Sequence, residues 1–233
     1  MRSTRQQARF AGLLYVLMIV LGLPGLIIIP GRLIVDGNAA ATADHIRAAA
    51  TLFRLGMASE LVYQVLFAFL GLALYRLFEA VDKRVAVQMV ALVLLSIPIV
   101  FLGVVNELVA LILVSGPRYL ATFTQPQLDS LAYLFLQLRG EGLGVVQVFW
   151  GLWLVPFGLL VMRSGFLPKV LGALLVIAAL GYLMRVARSL FPEPYTAPLD
   201  SLSSVLTLGE PPIILWLLIV GAKGEPAGVA ASP

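Results

Sequence analysis

Long apolar runs constrain this chain more than any other feature of its sequence. Six of them, each near 20 residues or longer, cover about residues 10–29, 52–78, 85–114, 143–162, 169–190 and 202–220. A helix of about 20 residues crosses the roughly 30 Å hydrocarbon core of a bilayer, and it satisfies its own backbone hydrogen bonds there. The sequence therefore predicts an all-α fold, a polytopic bundle of six membrane-spanning helices with one or two short interfacial helices.

The composition agrees with this fold and excludes several classes of protein. Hydrophobic residues make up 61% of the chain and charged residues 12%, whereas charged residues are about a quarter of a soluble protein. The chain has no cysteine and one histidine, His45, which excludes disulfides, thiol nucleophiles and histidine-based metal clusters or triads within one chain. We therefore predict no metal site, and the sequence identifies neither a cofactor nor an oligomeric state.

The basic residues indicate a lipid bilayer as the partner, and no nucleic acid. The net charge is +4, but no basic block and no interleaving of basic with aromatic residues occurs. With the N-terminus inside, nine Lys and Arg residues fall on the cytoplasmic side and seven on the other, where several lie within helices. Since Lys and Arg are enriched in cytoplasmic loops, we predict a multi-pass protein of the cell (inner) membrane with both termini cytoplasmic.

The chain shows no soluble domain, long linker or internal repeat. We therefore predict one transmembrane domain over residues 1–222 and a disordered tail over 223–233. The first apolar run is interpreted as helix 1 and not as a signal peptide, because 20 apolar residues is long for a signal sequence. Residues 45–56 are amphipathic and predict an interfacial helix or a lead-in to helix 2, capped by Thr42 or Asp44.

Prolines and glycines predict where the helices start and break. Residues 124–127 include Pro126 and are typical of a helix start. The segment after them, up to Gly142, is either a separate amphipathic helix or the beginning of helix 4. Residues 191–198 are broken by prolines and predict a loop. Glu210 precedes two prolines inside helix 6, and prolines within a helix free nearby backbone carbonyls.

Three stretches resemble a known family. Residues 148–182, VFWGLWLVPFGLLVMRSGFLPKVLGALLVIAALGY, look like the bacterial family of small membrane proteins catalogued as domain of unknown function 4386. RFAGLLYVLMIVLGL and LFRLGMASEL are similar to the first and second helices of that family, and the resemblance covers about residues 6–222. It implies a membrane protein of six or seven helices without an assigned activity, and it supplies no catalytic residue.

Polar side chains lie at a common depth in five of the predicted helices. Counted at about 1.5 Å per residue, Glu60, Glu107, Glu141 and Glu210 all fall in the outer half of the membrane, together with several arginines. A charge at mid-membrane costs about 2.5–3.5 kcal/mol on insertion scales, so such residues face the interior of a bundle and mark functional sites by default. This coincidence of depth predicts a shared polar interior.

The direction in which each side chain points from its helix narrows the set of candidate residues for the polar interior. Glu60 and Gln64 share a face because they are four residues apart. Gln137 and Glu141 share a face of helix 4, and Arg139 joins them only if the helix breaks at the following glycine. We therefore predict an outward-facing polar cavity that binds or transports a small molecule or an ion. The predicted lining residues are Glu60, Gln64, Asn106, Glu107, Glu141, Arg185 and Glu210.

Two other functions fit the same residues. In an intramembrane enzyme, a buried carboxylate would act as acid or base on a lipid-like substrate, although no histidine partner or serine elbow accompanies it. In a structural membrane subunit, the glutamates would only pair with arginines, and arginines near helix ends would extend to the membrane surface. The sequence assigns no catalytic residue.

Overall fold

The computed structural model describes residues 3–190 and 197–223, except for the side chains of 187–190 and 197–198. The described residues form helices and connecting turns, without a strand, which confirms the all-α prediction. The α-helices are α1 (Thr4–Leu23), α2 (Ile29–Leu33), α3 (Ala39–Ala48), α4 (Ala50–Ser115), α5 (Gln125–Leu152), α6 (Leu154–Arg163), α7 (Lys169–Leu190), α8 (Ala197–Thr207) and α9 (Pro211–Ile219). A π-helical turn, Pro24–Ile28, joins α1 to α2.

Five described stretches are long and apolar enough to cross a membrane: Thr4–Leu33, Ala50–Ser115, Gln125–Arg163, Lys169–Val186 and Leu199–Ile219. The second has 66 residues, which is about 99 Å of helix and therefore room for two spans. It breaks at Asp82, whose φ of −158° and ψ of 98° are not helical. The protein is therefore a multi-pass membrane protein with a helical bundle fold.

The joint between the two halves of α4 consists of Asp82 alone. Its Oδ1 accepts a hydrogen bond from Val85 N at 3.2 Å, as the N-cap of a new helix would. Its Oδ2 forms an ion pair with Arg163 Nη1 at 2.8 Å. The connection between the two predicted apolar runs, 52–78 and 85–114, thus contains one non-helical residue, which the cap and the ion pair hold in place.

The chain divides into two compact units, each described by itself below. Unit 1 contains residues 1–17, 66–97 and 144–233, and unit 2 contains residues 18–65 and 98–143. Residues of α1, α4 and α5 contribute to both units. Of the predicted features, the loop at 191–198 lies largely outside the described residues, and so does the tail from 224 onward.

Unit 2 has an apolar core that includes the amphipathic helix α3. Ile46 of α3 is fully buried and joins Phe53, Leu113 and Ala132 in that core. The helix begins at Ala39, earlier than expected, so the predicted caps at Thr42 and Asp44 are wrong.

The cap of α3 is Asn38. Its Oδ1 accepts a hydrogen bond from Ala41 N at 3.0 Å, which satisfies one of the free amides at the start of the helix. Gly37, with φ of +70°, makes the turn that positions this side chain. Thr42 instead accepts a hydrogen bond from Val35 N at 2.9 Å.

Unit 1 is held together by aromatic packing and by close helix contacts at glycines. Tyr15 and Phe157 are fully buried, and Trp153 stacks on Phe157 with 5.4 Å between ring centroids. A Cβ on Gly158 would lie 2.6 Å from the carbonyl oxygen of Gly172, so α6 and α7 touch through their backbones. Small residues allow such close approach, which is how helices in membranes gain packing energy.

The segment before helix 4 is part of one long helix. α5 starts after Thr124, whose N–H donates to Gln127 Oε1 at 2.8 Å in the manner of a capping box. It continues through Gly140 without a break, and α6 follows after Trp153. Helix 6 does break as predicted, into α8 and α9, at residues 208–210 before the two prolines.

Candidate functional site

Arg139, Glu60 and Glu107 form a buried ionic cluster in unit 2. Arg139 Nη2 pairs with Glu60 Oε1, and Arg139 Nε lies 2.8 Å from Glu107 Oε1. The exposed fractions of the three side chains are only 5%, 0% and 3%. Two carboxylates therefore share one guanidinium away from solvent.

Each member of the cluster reaches it from a buried helix face. Glu60 and Glu107 come from the two halves of α4, one from each membrane span. Arg139 continues a buried stripe of α5 that contains Leu128, Ala132 and Leu136, at spacings of four, four and three residues. The helical period alone thus turns Arg139 inward.

A local irregularity in the first span provides a further acceptor. The Ser59 hydroxyl accepts a hydrogen bond from Gly25 N at 3.1 Å and donates to the carbonyl of Leu21. Ser59 is therefore inserted into the backbone ladder, at the point where the π-helical turn begins. Gly25 O then accepts a hydrogen bond from Arg139 Nη2 at 3.3 Å.

Glycine is the only residue type that fits at position 25. A Cβ there would collide with the carbonyl oxygen of Gly56 and would lie 2.8 Å from Glu60 Cγ. The first span consequently packs directly against the part of α4 that carries Glu60. This close approach brings the carbonyl of Gly25 within reach of Arg139.

Several polar atoms in and beside the cluster lack a hydrogen-bond partner among the described residues. These are Oε2 of Glu60, Oε2 of Glu107 and both amide atoms of Gln64. Gln64 is fully buried and lies one turn along α4 from Glu60, on the same face. Arg139 Nε is close to Glu107 but is not aligned for a hydrogen bond. Buried polar groups are nearly always paired, so these atoms distinguish the cluster from an ordinary buried ion pair.

The cluster lies far from the ends of its helices. Counted along their helices from Ala50, Ser115 and Gln125, Glu60, Glu107 and Arg139 lie about 15, 12 and 21 Å from the helix ends. All three residues belong to stretches that are long and apolar enough to cross a membrane. The side chains are buried, so the cluster is closed to solvent in this structure. The outward-facing cavity expected from the sequence stays a prediction.

A second polar group in unit 1 surrounds Glu210. Tyr15 donates a hydrogen bond to Glu210 Oε1, and Tyr182 donates one to Oε2 at 2.7 Å. Arg185 Nη2 donates to Thr207 Oγ1 at 3.2 Å, and its guanidinium lies 5.7 Å from the centroid of the Tyr182 ring. Both oxygens of this carboxylate therefore have phenol partners, unlike the glutamates of unit 2.

A third polar group lies at the end of unit 2 where α5 begins. Arg47 donates to Asp129 Oδ1 at 2.8 Å and to Asp44 Oδ1 at 2.7 Å, and Gln125 Nε2 donates to Asp129 Oδ1 at 2.9 Å. The hydrogen bond to Asp129, followed by the one to Asp44, raises the pKa of Arg47 above its usual range. These bonds fasten α3 to the start of α5.

The seven predicted site residues thus fall into separate places. Glu60, Gln64 and Glu107 lie together on buried positions of α4. Arg185 and Glu210 belong to unit 1, where Tyr182 contacts both. Asn106 is half-buried, and Glu141 is exposed on α5.

Arg139 was predicted to join the site only if the helix broke at Gly140, and this condition is wrong. No break at Gly140 is present, and Arg139 is buried in a continuous helix while Glu141 faces outward. The sequence pointed to the wrong face of this helix, because Gln137 and Glu141 form its polar side, whereas Arg139 lies on the apolar side with Leu136. Tyr15 and Ser59 were not predicted either, since hydrogen bonds to distant backbone or carboxyl groups leave no local pattern.

Comparison with known protein families identifies a match. The sequence model of one family, described as Domain of unknown function (DUF4386), matches residues 10–221. Searches of curated proteins and of solved structures gave no significant match. The match covers most of the chain, in accordance with the resemblance seen at residues 148–182.

Proposed function

The chain belongs to the DUF4386 family of membrane proteins, and we propose that it binds a small cation at Arg139, Glu60, Glu107 and Gln64 and carries it across the bilayer. The observation that carries this proposal is the imbalance of charge in a closed, buried site. The cation is a proton or a monovalent metal ion.

The charges of the cluster do not cancel. Two carboxylates and one guanidinium leave one excess negative charge in the membrane interior. An unpaired buried charge costs several kcal/mol, and proteins avoid it by protonation or by pairing. One bound cation per cluster makes the site neutral.

The atoms without partners agree with a cation that keeps part of its hydration shell. Oε2 of Glu60 and Oε2 of Glu107 accept from such water or coordinate the ion directly. The amide nitrogen of Gln64 needs a hydrogen-bond acceptor. A cation cannot accept a hydrogen bond, whereas a water molecule can. A hydrated ion or a hydronium therefore satisfies the whole set.

A structural role for the cluster is the second candidate. Arg139 makes contacts with Glu60, Glu107 and the carbonyl of Gly25, and so ties its own span to three others. Such a tie needs only one carboxylate for charge balance, however. The second glutamate and the unpartnered Gln64 favour the binding function.

We further propose that the protein lies in the cell membrane with both termini cytoplasmic and that the site opens to the outer side. The bias of Lys and Arg toward one set of turns supports this orientation. In this orientation α3 and the Arg47–Asp129 pair lie at the outer end of unit 2. Opening toward the outside would then require α3 to move.

The test uses purified protein and two variants that remove the same charge. Glu107→Gln removes the excess charge from the cluster, whereas Glu141→Gln removes an exposed glutamate as the control. Thermal unfolding is followed in Na⁺, K⁺ and choline buffers and over a range of pH. Transport into vesicles that contain the protein is read with the dye pyranine for protons and with a metal-sensitive dye for Na⁺ or K⁺.

A ligand that binds only the folded state stabilises it by about 2.7 kcal/mol at 100 times its dissociation constant. We expect wild type and Glu141→Gln to show such stabilisation by Na⁺ or by acid and to carry the ion. Glu107→Gln should fold but lose both responses. Identical behaviour of Glu107→Gln and wild type in both assays would favour the structural role and reject the proposal.

A further inference from the structure

A groove on the membrane-facing side of unit 1 lies apart from the polar groups described above. It has a volume of about 620 Å³ and is lined by residues of α1 and of the first half of α4. Pockets of about 300–1,000 Å³ are typical of small-ligand sites. The lining residues are Gln7, Phe10, Leu14, Phe69, Leu72, Ala73 and Arg76.

The groove is apolar along its body and polar at one end. On α1 the polar residue Gln7 comes first and Leu14 last, whereas on α4 Phe69 comes first and Arg76 last. Consecutive spans cross the membrane in opposite directions, so Gln7 and Arg76 share one membrane surface. At about 1.5 Å per residue, the groove extends about 10 Å into the membrane from that surface.

The cation at the polar end is available for a ligand. Arg76 is exposed and makes no ion pair within the part of the chain that the structure describes. By contrast, Arg163 is paired with Asp82. When no carboxylate neutralises an arginine at a membrane surface, the arginine attracts phosphate, because guanidinium groups bind phosphate well.

The groove walls have the character of a lipid site. Phe69, Leu72 and Phe10 are 55%, 46% and 42% exposed, although they lie in segments that cross the membrane. Ala73, which is 9% exposed, forms the floor and leaves space for a chain. Since hydrocarbon surrounds this face, the occupant is a molecule with an acyl chain.

From this combination we infer that the groove binds one anionic phospholipid, with an acyl chain along Phe10, Leu72 and Ala73 and its phosphate at Arg76. The expected orientation strengthens the match in charge, because it puts Arg76 at the cytoplasmic leaflet, where anionic lipids are concentrated. The inference does not depend on the ion site in unit 2.

The experiment measures lipid binding to delipidated, full-length protein by native mass spectrometry. Phosphatidylglycerol and phosphatidylcholine are titrated separately. Arg76→Gln removes the cation of the groove, and Arg84→Gln removes an exposed cation outside it. Leu72→Trp fills the groove from an exposed position, and Leu94→Trp makes the same change at an exposed leucine elsewhere in unit 1.

We expect one phosphatidylglycerol to bind wild type more tightly than phosphatidylcholine does. A basic residue near the membrane surface is worth about 1 kcal/mol, so Arg76→Gln should weaken phosphatidylglycerol binding about fivefold. Phosphatidylcholine, whose choline offsets the charge of its phosphate, should be weakened less. Leu72→Trp should weaken both lipids, and the two control variants should match wild type.

Three results would overturn the inference. The first is equal affinity of wild type for the two lipids, and the second is an equal effect of Arg76→Gln and Arg84→Gln. The third is a dimer that Leu72→Trp dissociates without any change in lipid binding, since a second copy would then occupy the groove.

Discussion

At the scale of single residues, Arg139 determines the chemistry of unit 2. Its guanidinium contacts two carboxylates and one backbone carbonyl, all of them buried. A lysine has one point charge and cannot contact three acceptors with the fixed geometry of a guanidinium. The residue therefore acts both as a counter-charge and as a tie between helices.

We predict that Arg139→Gln lowers the free energy of unfolding by about 3–5 kcal/mol, because removal of one partner leaves buried carboxylates without a counter-charge. Thermal unfolding in detergent measures the change. The double variant Arg139→Gln with Glu60→Gln should recover part of the loss. Arg118→Gln, at an exposed arginine of unit 2, is the control and should change stability by less than about 0.5 kcal/mol. A loss no larger than the control's would contradict the role of Arg139 as a tie.

The sequence located parts of the site and missed others for identifiable reasons. Depth along a single helix found Glu60 and Glu107, because a count of residues from the helix end needs no tertiary information. The four-residue spacing from Glu60 then found Gln64. Depth did not decide which side of α5 faces inward. The face with Gln137 and Glu141 was predicted to line a polar interior, but the buried face is the apolar stripe at Leu128 and Ala132, on which Arg139 also lies.

At the scale of elements, the first span is shaped by its neighbours. The inserted Ser59 hydroxyl and the missing Cβ of Gly25 together determine where the π-helical turn lies. Within a membrane, each freed backbone group must find a partner, and here Ser59 and Arg139 supply them. The irregularity is therefore stabilised by side chains from two other helices.

Substitution of two glycines in this span separates close packing from helix propensity. Gly25→Ala should destabilise the protein by about 1–3 kcal/mol, because the new Cβ meets the backbone of Gly56 and the stem of Glu60. Gly31→Ala has open space around it and should be neutral or stabilising by up to about 1 kcal/mol. Thermal unfolding of the two variants side by side makes the comparison. Equal effects would show that the contact at Gly25 is unimportant.

At the scale of the whole molecule, the six spans were predictable because each apolar run is long enough to cross a bilayer by itself. The start of α5 near Pro126 and the break at Glu210 were predictable from proline chemistry. The division into two compact units was not, because it depends on which helices pack together, and a single sequence does not carry that information.

The proposed orientation is tested by labelling single cysteines, for which this chain is suited because it has none of its own. Ala80 and Ala121 are exposed, the first near the Asp82 joint and the second in the turn after α4. With a maleimide that does not cross membranes, Ala121→Cys should be labelled in intact cells. Ala80→Cys should react only after permeabilisation. The reverse pattern would place both termini outside.

The contacts among Ser59, Gly25 and Arg139 mean that substitutions at these positions should not act independently. The serine opens the backbone, the glycine admits the neighbouring helix and the arginine binds the released carbonyl. Once one of these contacts is lost, a second substitution among the three should cost less than it does in the intact protein. The three positions therefore form one energetic unit, although they lie on three different helices.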